Sequence, residues 1–229
     1  MTMTVVRSGA WRRSRHAPRH APRGRRSRLV TLHLRARGAP ALLLGIVAVA
    51  LAGWGLADWL VHREPTPTPQ ARMSVVVVAP LMAATLASPG LGGAAEELER
   101  SLPAPWRRYR LVHVLVVAAV IGAVLAVTGL WEPRTYGAAE LVRNTLGFTG
   151  LIVGAAVVMG TRLAWLPALA YGTAVYAIAP RPIASGTAWW TWPVQPWSAG
   201  AAVTVSVGIF VIGLTLYGVL GARVSSSAS

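Results

Sequence analysis

"LVHVLVVAAVIGAVLAVTGL", residues 111–130, contains no Asp, Glu, Lys or Arg, and His113 and Thr128 are its polar side chains. An α-helix rises ~1.5 Å per residue, so roughly 20 apolar residues carry it across a hydrocarbon layer of ~30 Å. The run has that length. It lacks the polar alternation of a barrel strand, and in lipid only helices and closed barrels satisfy the backbone. It therefore predicts a membrane-spanning helix.

Working outward, the same rule selects residues 39–60, 73–91, 140–160, 163–179 and 198–221. The expectation is an all-α integral membrane protein of six transmembrane helices, with an interfacial helix before the first and a disordered basic N-terminal tail. Composition agrees: 54% of residues are hydrophobic, 13% are charged, and the mean hydropathy of +0.52 is far above that of an ordinary soluble domain. Residues 1–27 form the tail, 28–222 the membrane domain and 223–229 a short C-terminal tail. Trp54 and Trp59 close the first span with rings suited to the interface. The prolines of "EPTPTPQAR", residues 64–72, cannot continue a helix. Small residues recur four apart at Ala118-Gly122-Ala126 and Gly150-Gly154, a spacing that permits close helix approach and that also arises by chance in a chain with 23 glycines.

The 22 Lys+Arg positions are all arginine, and half of them precede Gly38. Basic loops stay in the cytoplasm. With six spans, Arg100, Arg107, Arg108, Arg110, Arg162 and Arg223 share one side with the tail, against Arg63, Arg72, Arg134, Arg143 and Arg181 on the other. Both termini are therefore expected in the cytoplasm of a bacterial inner-membrane protein. The tail has almost nothing with which to form a core. An anchor for anionic lipid head groups explains its charge better than nucleic-acid binding does. Arg25-Arg26 faintly resembles a twin-arginine export signal, but Arg35 and Arg37 interrupt the apolar region that should follow and no small-residue cleavage site closes it. Residues 28–37 mix leucines with arginines, as a short interfacial helix would.

Between spans two and three the chain turns polar. Residues 89–113, "PGLGGAAEELERSLPAPWRRYRLVH", begin with helix-loosening Pro89, Gly90, Gly92 and Gly93. A short helix over 94–102 follows, and Pro103 and Pro105 end it. Its acids lead and its bases trail, in keeping with the helix dipole. Such an element can press on another protein, and a solvated loop obeying the charge rule reads the same way.

Gly92-Gly93, Glu97-Leu98-Glu99, Leu102-Pro103 and Arg107-Arg108, in that order before the third span, resemble the stretch E-x-G-T-L-E-x-L-x-x-x-P-x-x-R of ABC-2 type transporter permeases. The usual Glu-Arg pair ahead of the glycine and the lysine that often follows are missing. The resemblance spans about residues 28–222. It implies the membrane subunit of an ATP-driven exporter, present as a homodimer or paired with a similar permease, and docked on a separate ABC ATPase subunit that carries the ATP and Mg. It further implies that Glu96, Glu97, Glu99, Arg100, Arg107 and Arg108 contact that ATPase through a coupling helix. It also implies a short re-entrant element between spans five and six, where Trp189, Trp190, Trp192 and Trp197 stand among prolines as a candidate extracellular gate. An aromatic belt at the interface explains the tryptophans without a gate.

Ionisable and polar groups in spans are costly and mark function. Arg143, Asn144, Thr145 and Thr149 are candidate pathway lining, with Asp58 and Glu140 near the same end; snorkelling accounts for Asp58 and Arg143 equally well. Enzymatic chemistry finds no footing. A phosphate-cradling G-x-x-x-x-G-K-[ST] loop needs a lysine that the chain lacks, and zero cysteines remove thiol chemistry and disulfides. No H-E-x-x-H occurs, and His62 and His113 each stand alone. No cofactor is expected in this chain. A membrane-embedded accessory, scaffold or immunity protein is the alternative, and a self-contained carrier would need matching halves, which are not visible.

Overall fold

The computed structural model describes residues 38–63, 72–92, 106–130, 137–180 and 189–223. Helix α1 is Ala39–Arg63, and α2 is Met73–Ala87, extended by a 3-10 turn over Ser88–Leu91. Then come α3 Trp106–Gly129, α4 Ala138–Met159, α5 Trp165–Ile178, a 3-10 turn over Trp189–Val194, and α6 Gly200–Leu220. Every regular element among the described residues is helical. The interfacial helix expected over 28–37 and the short helix expected over 94–102 lie outside the described residues.

Five helices, α1, α2, α3, α4 and α6, are long and apolar enough to cross a membrane. At 14 residues, α5 is shorter, about 21 Å by the helical rise. Helix α4 is the hub: 61% of its apolar window is buried against 11% for α1, and it contacts α2, α3, α5 and α6. Glycines record the closest approaches. Gly45 and Gly53 of α1 face Leu86 and then Val75 and Ala79 of α2, so the two helices run antiparallel. Gly122 and Gly129 of α3 face Val142 and Ala138 of α4, again antiparallel. Gly150 and Gly154 of α4 both lie against Gly213 of α6.

Helices α4 and α6 run parallel. At one end the Glu140 side chain meets the Trp197 backbone ahead of α6; at the other, the Arg223 N–H donates to the Ala156 carbonyl at 3.0 Å. Helix α2 shares their direction, because Tyr217 near the end of α6 donates its hydroxyl to Leu91 and Asn144 near the start of α4 reaches Val76. Residues 160–199 must therefore return the chain from one end of the bundle to the other. Helix α5 makes part of that journey, with Gly172 facing Leu81 and Phe148, and the 3-10 turn at Trp189–Val194 lies later on the same path. Gly38 and Arg223 consequently fall at the same end.

The helices stop where glycine permits it. Gly160 (φ +79°) and Gly221 (φ +74°) adopt a positive φ, open to glycine at little cost, just past α4 and α6, and their N–H groups donate to Ala156 and Tyr217. At the opposite end Arg63 lies 4.8 Å from the Trp59 ring centroid, a cation–π contact.

Candidate functional site

The 3-10 turn sits within the bundle rather than on its rim. Gly147 is nine residues into α4, about 13 Å along its axis, and the Trp192 ring occupies the space where a Cβ on Gly147 would stand. Trp192 is fully buried, with its centroid 5.2 Å from Phe148 and 6.1 Å from Tyr171. Irregular backbone at this depth leaves carbonyls that helix geometry cannot satisfy, and such segments persist only where protein covers them.

The polar residues of α4 supply the missing partners. Pro80 interrupts α2 and has no N–H, so the carbonyl four residues back, that of Val76, loses its helical donor. Pro196 likewise cannot donate to Pro193, three residues before it. One amide nitrogen answers both: Asn144 Nδ2 donates to the Val76 carbonyl at 2.9 Å and to the Pro193 carbonyl at 2.8 Å. Arg143 adds Nη2 to Pro193 and Nη1 to Pro196, both at 3.4 Å, and holds the other end of the Asn144 amide through Nε to Oδ1 at 3.1 Å. Tyr171 of α5 donates its hydroxyl to the Trp190 carbonyl. Within the turn, Gln195 Nε2 donates to Thr191 Oγ1 at 2.8 Å.

Glu140 ties the same segment to the start of α4. Its Oε2 accepts from the Gly137 N–H at 3.0 Å and its Oε1 from the Trp197 N–H at 2.9 Å. A carboxylate in the first turn also meets the positive end of the helix dipole. Glu140 and Arg143, three apart on one face of α4, are 3% and 1% exposed. Each has its hydrogen-bonding groups met by the turn, by Asn144 or by the start of α4, as burial of such groups demands.

The arrangement holds a non-helical segment against α4 and α5. Among the described residues no three His, Cys, Asp or Glu side chains are grouped to hold a metal ion.

The sequence-derived candidates fall into three sets. Glu96, Glu97, Glu99 and Arg100 lie outside the described residues, while Arg107 and Arg108 are exposed in the first turn of α3. Arg143, Asn144 and Thr145 are enclosed, the last donating back to the Leu141 carbonyl at 2.8 Å. Thr149, also buried, borders a small space beside His113 and Val114. The four tryptophans separate: Trp189 and Trp197 are exposed, at 71% and 48%, Trp190 is partly exposed, and Trp192 belongs to the core. Asp58 and Arg72 edge a cleft of about 270 Å³ between the ends of α1, α2, α3 and α4.

Pro80, Val76, Gly147, Tyr171 and Gln195 went unremarked in the sequence. Prolines in apolar runs mark carbonyls in need of donors, but nothing local says that a side chain 68 positions away supplies one. No protein-family model, curated protein or solved structure matches the chain.

Proposed function

We propose that the chain is the membrane-spanning permease subunit of an ATP-driven exporter for a hydrophobic or amphipathic compound, working as a dimer with separate ABC ATPase subunits. In this reading α5 with the 3-10 turn makes the sixth crossing, both termini face the cytoplasm of a bacterial inner membrane, and the stretch 92–108 docks on the ATPase. The observation that carries it is the enclosed turn at Trp189–Val194, set inside the bundle and followed by Trp197 at the start of α4. A passive anchor has no use for an arginine, a glutamate and an asparagine enclosed among apolar helices to secure a non-helical segment; a transporter needs an outer closure that can let go. The resemblance at Gly92 to Arg108 supplies the partner.

A second reading, an accessory, scaffold or immunity protein without its own pathway, draws on one observation: both amide hydrogens of Asn144 are spent on backbone carbonyls, which leaves that side chain nothing for a passing solute. Purification of the intact protein from its native membrane in mild detergent, with mass spectrometry of what accompanies it, separates the two. A stoichiometric ATPase supports the permease, and an intact protein without one supports the accessory reading.

A further inference from the structure

Two structural irregularities converge on one side chain. Helix α2 carries Pro80 in its interior, and the 3-10 turn before α6 carries Pro193, with Pro196 just beyond it. The carbonyls that lose a helical donor to these prolines, Val76 and Pro193, belong to elements far apart in sequence, and Asn144 Nδ2 bonds both within 2.9 Å. Asn144 is fully buried, so no water competes for those hydrogens.

We infer that Asn144 joins the Pro80 region of α2 and the Trp189–Val194 turn into one unit, so that a change of α2 around Pro80 weakens the hold on the turn. Three features make the link mechanical rather than incidental. The Val76 carbonyl has no N–H of Pro80 to accept, so the Asn144 amide is its donor from outside the helix. The Pro193 carbonyl accepts from both Asn144 and Arg143. Leu81, on the first turn past Pro80, packs on Gly172 of α5, one position from the Tyr171 that holds the Trp190 carbonyl, so the turn is also linked to α2 through α5. Bending of α2 thus moves Val76 and Leu81 together, and both lead to the turn. That this motion opens an outer mouth rests on the permease reading; the coupling itself does not.

The test needs neither ATPase nor substrate. Hydrogen exchange is followed on the full chain in lipid nanodiscs for the wild type, Pro80→Ala and Asn144→Leu, reading backbone amides at 74–82 and at 191–197. Pro80→Ala returns an N–H to the Val76 carbonyl within α2, which favours folding. It is expected to slow exchange in α2 and to speed it in the turn by about fivefold, the equivalent of one hydrogen bond. Asn144→Leu is expected to speed both regions together. Faster exchange in the turn alone on Asn144→Leu, or an unchanged turn on Pro80→Ala, overturns the coupling. Where Asn144→Leu does not insert, Pro80→Ala decides. The permease reading stands or falls separately on recovery of the ATPase.

Discussion

Gly150 of α4 and Gly213 of α6 bring two parallel helices into backbone contact: a Cβ on Gly213 would overlap the Gly150 carbonyl, and one on Gly150 would stand 2.5 Å from Phe210 Cα. Lipid offers no hydrophobic drive between helices, so approach this close gains its stability from van der Waals packing. It also positions the start of α6, and hence the 3-10 turn, against α4.

Gly213→Ala and Gly150→Ala should each force the helices apart and cost about 1–3 kcal/mol, the usual penalty for overpacking. Gly154→Ala, whose Cβ would meet Gly213 Cα at an ordinary 3.6 Å, should be close to neutral. Thermal unfolding in detergent of the three variants, measured side by side, checks the contrast; equal losses in all three would contradict the packing.

Trp192→Ala removes the largest enclosed side chain of the turn and should cost about 3 kcal/mol by cavity formation. Trp189→Ala, at an exposed position, should change stability by no more than about 0.5 kcal/mol. The same unfolding assay compares them.

Glu140→Ala strands the Gly137 and Trp197 N–H groups and should lose about 2 kcal/mol, whereas Glu140→Gln keeps an acceptor oxygen and should lose less. Proteolysis near residue 197 provides a local readout, and faster cleavage is expected in the alanine variant.

His62 and Arg107 lie at opposite ends of the bundle and are exposed. The chain has no cysteine, so His62→Cys and Arg107→Cys each create a unique thiol. In whole cells a membrane-impermeant maleimide should label the first and spare the second; the reverse pattern would invert the proposed orientation.

Glu97→Arg combined with Glu99→Arg should lower ATP-driven export by at least about tenfold while leaving membrane insertion intact, because reversed charges at a docking surface repel the partner. Unchanged export in vesicles would remove the coupling role from this stretch.

Much of this was legible in the sequence because the membrane imposes it. Length and hydropathy alone set α1, α2, α3, α4 and α6, since a span must be about 20 residues long and helical whatever surrounds it. The Gly150-Gly154 spacing pointed to close packing of α4. Tertiary structure decided what spacing cannot carry. It assigned Gly150, and not Gly154, to the tightest contact, set Trp192 in the core apart from its three neighbours, and turned Arg143 and Asn144 from free polar groups into donors for carbonyls that prolines had stranded. Hydropathy acts on each helix alone, whereas a hydrogen bond between Asn144 and Val76 exists only once packing has brought 68 residues of separation to 2.9 Å.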